Sequence, residues 1–146
     1  MSILLDPDSR PPPALPDREV QADLRLRTVL YVEDNPANLL LVERLIARRS
    51  DLKLLSAATG RIGIQLARDH KPDLILLDIN MPGSSGFEVL ESLRKDPGTL
   101  GIPVIALSSN AHPRDIEKGL EAGFFRYITK PYKIEALFSA IDAAMI

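Results

Sequence analysis

From residue 28 onward, apolar runs of a strand's length alternate with longer stretches in which apolar residues recur every three or four positions. The runs are 29–32, 52–57, 74–77, 102–107 and 125–129. Between them, Asn35-Pro36 supplies a cap and a first-turn proline for a helix reaching about Arg49, with Leu39, Val42, Leu45 and Ile46 on one face. Thr59 opens a second helix that stacks Ile62 and Leu66 and stops before Lys71-Pro72. A third spans 86–93 ahead of Asp96-Pro97-Gly98, a fourth 113–122, and the last aligns Ile134, Leu137, Phe138, Ile141 and Met145. Strands that alternate with single helices predict an α/β fold, a parallel sheet covered on both faces by right-handed crossovers. Such sheets bind ligands beyond the carboxyl ends of their strands.

Those ends carry chemistry. Asp78 follows Leu74-Ile75-Leu76-Leu77 and precedes Ile79-Asn80-Met81-Pro82-Gly83, which reads as a buried strand delivering an acid to a loop. A carboxylate there costs free energy unless something uses or neutralises it. The first strand ends in Glu33-Asp34, the fourth in Ser108 and the fifth in Lys130, whereas the second ends in Ala57-Ala58-Thr59. Three carboxylates in one pocket repel, and a hard divalent cation such as Mg²⁺, which takes carboxylate, water and phosphate oxygens, relieves the repulsion. Lys130 suits a phosphate oxygen and Ser108 offers a hydroxyl donor. The set fits a metal-bound phosphoryl group better than a glycosidic bond or an amide, and a carboxylate can itself accept the phosphoryl group.

Composition narrows the classes. With 18 basic against 20 acidic residues the net charge of −2 disfavours bulk binding to nucleic acid or an anionic membrane. The absence of cysteine excludes disulfides, thiolate metal sites and Cys nucleophiles, and fits a cytoplasmic protein. No apolar run approaches the ~20 residues of a membrane span, and the N-terminus lacks the pattern of a signal peptide. Residues 1–27, with prolines at 7, 11, 12, 13 and 16, read as a flexible tail or linker ahead of a domain over 28–146. His70 ends a helix, where a histidine can help the dipole, and His112 starts one; neither has the setting of a phosphohistidine.

Four stretches taken together, Val29-Leu30-Tyr31-Val32-Glu33-Asp34-Asn35-Pro36, Leu74 to Gly83, Ile105-Ala106-Leu107-Ser108-Ser109-Asn110-Ala111 and Tyr127-Ile128-Thr129-Lys130-Pro131, resemble the receiver domain of two-component response regulators. The likeness covers residues 28–146, with every motif in order on its strand. It implies a flavodoxin-like doubly wound sheet of strand order 2-1-3-4-5. It implies Asp78 as phosphoacceptor and Mg²⁺ on Asp34, Asp78 and the Asn80 backbone carbonyl, with Glu33 acting through water. Lys130 would pair with the phosphoryl oxygens, Ser108 would hydrogen-bond them and draw in its loop, and Tyr127 would change rotamer as that loop moves. The Lys130–Pro131 peptide would be cis. Ser108 stands for the commoner Thr, and Ser109 for a small Ala.

The resemblance further implies a signalling switch that catalyses its own phosphorylation and dephosphorylation without being a conventional enzyme. A histidine kinase or histidine phosphotransfer protein would be the donor. A downstream protein would read the face made by the fourth helix, fifth strand and fifth helix, and a homodimer through that face is a further expectation. The alternative is a non-phosphorylated interaction module of the same fold, which predicts a missing acid, Lys or hydroxyl; none is missing. A flavin site would need a Ser/Thr/Gly-rich first loop, where Glu33-Asp34 would repel phosphate. The opening Tyr31-Val32-Glu33-Asp34-Asn35-Pro36-Ala37-Asn38 is similar to receivers fused to hybrid sensor kinases, so the chain is expected to be either a single-domain regulator or the receiver of a longer protein.

Overall fold

The computed structural model describes residues 26–83 and 85–145, so the tail expected at the N-terminus falls almost wholly outside the described residues. Among the described residues the strands are β1 (Arg27–Val32), β2 (Leu52–Ala57), β3 (Leu74–Asp78), β4 (Val104–Ser108) and β5 (Arg126–Thr129). The helices are α1 (Pro36–Ile46), α2 (Gly60–His70), α3 (Gly86–Lys95), α4 (Pro113–Ala122) and α5 (Ile134–Ala144). All strand pairs are parallel, as the alternation predicts, and the order is β2-β1-β3-β4-β5, the flavodoxin-like doubly wound arrangement that the resemblance implies. β1 begins at Arg27, which pairs with Leu52.

Period-two alternation sorts the core into two layers. Leu30, Val32, Ile75, Leu77, Val104 and Ala106 face α2 and α3 and meet Ala67, Val89, Leu90 and Leu93. Val29, Tyr31, Leu74, Leu76, Ile105 and Leu107 face α1 and α5 and meet Val42, Leu45, Ile46, Leu137 and Ile141. Every residue of β3 and β4 is buried, which is why both read as unbroken apolar runs.

Local chemistry sets the helix ends. Asn35 Oδ1 accepts from the N–H groups of Ala37 and Asn38, and Pro36 occupies the first turn. Ser85 and Glu88 form a reciprocal capping box on α3. Gly123, at φ 116°, closes α4 in the left-handed region that glycine favours.

Two expectations about the helices need correction. α1 ends at Ile46, short of Arg49: the N–H groups of Arg48 and Arg49 bond only three residues back, to the Leu45 and Ile46 carbonyls, and the Arg49 side chain pairs with Asp51 and Asp142. Ile62 is 48% exposed rather than core. α2 instead approaches β1 through Gly63 and Ala67, and a Cβ at Gly63 would lie 2.7 Å from Val32 Cγ2. The long side chain at 62 is therefore turned to solvent.

β1 connects outward to β2 on one side and has β3 as its other neighbour. This reversal of strand order opens the crevice where parallel α/β sheets place ligands, and the ends of β1 and β3 form its floor.

Candidate functional site

Glu33 and Asp34 follow β1, and Asp78 is the last residue of β3. Val32 pairs with Leu77, so the two adjacent strands end level and their acids meet. One oxygen from each of Glu33, Asp34 and Asp78 lies within 4.8 Å of the others. Asp34 is exposed, while Asp78 is 6% and Glu33 2% exposed, so two of the three charges sit largely out of water.

Lys130 follows β5 and is anchored by its own N–H, which donates to the Ser108 carbonyl at 2.7 Å. Its Nζ reaches Asp78 Oδ2 at 3.2 Å and Glu33 Oε1 at 3.7 Å. The Lys130–Pro131 peptide is cis, as the sequence comparison implied. One ammonium thus touches two carboxylates of a cluster of three. Burial first, and then the neighbouring Asp78 carboxyl, raise the Glu33 pKa above the usual glutamate range. A divalent cation would relieve this excess, and an all-oxygen donor set with room for water suits Mg²⁺. The residues therefore fit the expected ion.

Hydrogen bonds hold Asp78 and Glu33 of the cluster in place. Asp78 Oδ1 accepts the Asn80 N–H at 2.9 Å, which fixes the Asp78 carboxylate against the following loop. The Asn80 Oδ1 accepts from the Ser109 N–H at 2.8 Å and from its hydroxyl at 3.3 Å, tying the loop after β3 to the loop after β4. Glu33 Oε1 accepts from the Tyr31 hydroxyl at 2.9 Å and from Asn38 Nδ2 at 3.2 Å, and Oε2 accepts the Asn35 N–H at 3.1 Å.

Ser108, fully buried, pairs with Thr129, and its Oγ accepts the Asn110 N–H at 3.0 Å, leaving its proton free to donate elsewhere. Tyr127, half-buried on β5, donates from its hydroxyl to the Asn110 carbonyl at 3.4 Å. Its ring lies against Gly119 of α4, where an added Cβ would come 2.5 Å from Cδ2. A pocket of about 210 Å³ opens between the two loops, lined by Asn80, Ser108, Asn110 and Tyr127 among others.

Glu33, Asp34, Asp78, Ser108 and Lys130 thus lie at the carboxyl edge of the sheet, each ending or following its strand. Glu33, Asp34, Asp78 and Lys130 are in one cluster; Ser108, Asn80 and Tyr127 line the adjoining pocket. His112 caps α4, its Nδ1 accepting the Arg114 N–H at 3.1 Å, and His70 ends α2. Tyr31 and Asn38 were not singled out by sequence reasoning. The one signal for Tyr31 was a hydroxyl in an otherwise aliphatic strand.

Among the described residues no helix is long and apolar enough to cross a membrane. Residues 29–142 match the family described as the response regulator receiver domain. Protein PilH of Pseudomonas aeruginosa is 35% identical over 117 residues, covering 80% of this chain and 96% of PilH. A probable cyclic di-GMP phosphodiesterase of Vibrio cholerae is 35% identical over 119 residues; the match takes in 82% of this chain but 26% of that protein. The chain therefore spans about a quarter of the length of that relative and nearly all of PilH. Among solved structures, the receiver domain of the sensor histidine kinase PA1611 from Pseudomonas aeruginosa superimposes with a TM-score of 0.73 at 29% identity, covering 82% of this chain and 97% of that one. That structure holds a magnesium ion coordinated in its active site cleft. With the switch-point crevice, the acidic cluster and its lysine already in place, these matches establish that the chain belongs to the response regulator receiver family of two-component signalling.

Proposed function

We propose that this receiver is a phosphorylation-dependent switch in which Asp78 takes a phosphoryl group from a histidine kinase or a histidine phosphotransfer protein. The observation that carries the reading is the convergence of Glu33, Asp34 and Asp78 within 4.8 Å, with Lys130 Nζ 3.2 Å from Asp78 Oδ2. The magnesium ion in the PA1611 receiver supports the same use of the cluster.

In the proposed reaction an Asp78 carboxylate oxygen forms a bond to phosphorus while the phosphorus–nitrogen bond of a phosphohistidine breaks. The imidazole keeps the electron pair. Water attack on phosphorus later returns the carboxylate and inorganic phosphate. Asp34, Asp78 and the Asn80 carbonyl would hold Mg²⁺, with Glu33 acting through water. Bound there, Mg²⁺ supplies positive charge to the phosphoryl oxygens. Lys130 neutralises a further oxygen, and because its Nζ already lies beside Asp78 it needs little reorganisation to do so.

The Ser108 hydroxyl donates to the new phosphoryl group and draws in the loop after β4. That movement breaks the Asn80–Ser109 and Tyr127–Asn110 hydrogen bonds, and Tyr127 turns with it. The face of α4, β5 and α5 then shifts population toward a form that a downstream protein, or a second copy of the chain, binds. We place this exchange in the cytoplasm, with residues 1–27 as tail or linker.

The test is incubation with acetyl phosphate and Mg²⁺, read by intact mass. A gain of one phosphoryl group is expected, absent in Asp78→Ala and absent in EDTA. No gain with any small donor or phosphohistidine protein would overturn the reading in favour of a non-phosphorylated interaction module.

A further inference from the structure

Glu33 has three side-chain torsions and ends a strand, a setting in which holding one rotamer costs up to about 1.5–2 kcal/mol of side-chain entropy. Here it is held from four directions. Oε1 accepts from the Tyr31 hydroxyl (2.9 Å) and Asn38 Nδ2 (3.2 Å) and faces Lys130 Nζ (3.7 Å). Oε2 accepts only the Asn35 N–H (3.1 Å) among the described residues. A carboxylate has about four lone-pair sites, two on each oxygen. Oε1 is therefore saturated by protein, and the remaining capacity of Glu33 lies on Oε2.

The sequence builds this arrangement deliberately. Tyr31 faces α1 from β1, and Glu33, two residues on, turns the same way and meets its hydroxyl. Tyr31 is 1% exposed, so its hydroxyl needs a buried acceptor, and Glu33 supplies it. Asn38 sits in the first turn of α1, whose start is itself fixed by the Asn35 cap and Pro36. Its side chain reaches back five residues to the same oxygen that Tyr31 holds.

We propose that Tyr31 and Asn38 are positioning residues for the metal site: by saturating Oε1 they lock the Glu33 rotamer and leave Oε2 to the water shell of the bound cation. This rests on the reading of the acidic cluster as a Mg²⁺ site. Neither side chain touches the cation. Both act through Glu33, and their substitution alters metal affinity beyond any effect on folding.

The experiment is a calorimetric Mg²⁺ titration of the full chain and of Tyr31→Phe and Asn38→Ala, with urea unfolding of each as a control for the fold. Outer-shell partners of metal ligands are worth about 10–100-fold in affinity, and a loss of about 10-fold is expected for each variant. In a Glu33→Gln background the same two changes are expected to alter Mg²⁺ affinity by less than about twofold, because the group they position is gone. Folded variants that bind Mg²⁺ within about twofold of the parent, or that lose as much in the Glu33→Gln background, would overturn the proposal. Should Tyr31→Phe fail to fold, Asn38→Ala carries the test, since it removes a half-exposed side chain from a helix surface. A parent chain that binds no Mg²⁺ defeats the cluster reading itself and this proposal with it; a parent that binds while the variants match it defeats the positioning role alone.

Discussion

Gly86→Ala tests how closely the frame supports the acceptor loop. Gly86 is the first residue of α3, buried against Ile79, the residue that follows Asp78. A Cβ at position 86 would collide with Ile79 Cγ2 and would lie 2.5 Å from its Cβ and 2.8 Å from its Cα. Carbon atoms in ordinary contact sit near 3.5–4.0 Å, so the two chains must part by roughly 0.7–1 Å. One of the obstructing atoms is main chain, which no rotamer change can remove. Overpacking of this kind costs about 1–3 kcal/mol, and alanine's better helix propensity returns at most about 1 kcal/mol. A net loss of about 1–2 kcal/mol is expected, which for a fold of this size lowers the melting temperature by roughly 4–8 °C. The displaced Ile79 carries Asp78 and Asn80 with it, and misplacement of a reacting group by about 1 Å can cost on the order of 100-fold in rate. The assays are urea unfolding and the rate of modification by acetyl phosphate in Mg²⁺. Gly101→Ala is the control, because nothing lies within 4 Å of a Cβ there. A Gly86→Ala protein that is as stable as the parent, or that is phosphorylated at the parental rate, would show that the Gly86–Ile79 contact does not hold the Asp78 loop in place.

The raised Glu33 pKa gives the metal-free protein a pH-dependent stability of definite sign. The Glu33 contribution is complete below the ordinary glutamate value of about 4.3 and is lost as pH rises through the raised folded value. Urea melts in EDTA should therefore show the parent losing stability relative to Glu33→Gln as pH climbs through that window, and saturating Mg²⁺ should flatten the difference; an unchanged difference would sink the idea. Thr99 is fully buried at the opposite edge of the sheet, its hydroxyl donating to the Leu93 carbonyl at 2.7 Å. Thr99→Val keeps the shape and leaves that carbonyl without its donor, so a loss of about 1–2 kcal/mol is expected in urea melts, with the phosphorylation rate unaltered.

The fold and the acidic cluster were legible in the sequence for one reason. A parallel sheet brings all carboxyl ends to one edge, so polar residues that terminate apolar runs must meet there. Glu33, Asp34, Asp78, Ser108 and Lys130 each end or follow such a run. What depends on three-dimensional neighbours was not legible. Ile62 fits the helical stripe of α2, and only the close approach of Gly63 to Val32 shows that the stripe is rotated away from it. Tyr31 reads as an ordinary strand aromatic and Asn38 as an ordinary helix-surface amide. Their shared target, one oxygen of Glu33, emerges only when β1 and α1 are packed together. Strand four starts at Val104 rather than at residue 102 because Pro103, which has no N–H to donate, precedes it.

The assignment of the phosphoryl group to Asp78 has a chemical readout at the residue itself. It is tested most directly by phosphorylating the protein in Mg²⁺, reducing the acyl phosphate with borohydride and sequencing the peptides by mass spectrometry. Reduction converts a phosphorylated aspartate to homoserine. Homoserine is expected at position 78, dependent on Mg²⁺, with Asp34 and the other carboxylates unchanged. Homoserine at another position, or a phosphoryl group that persists in Asp78→Asn, would contradict it.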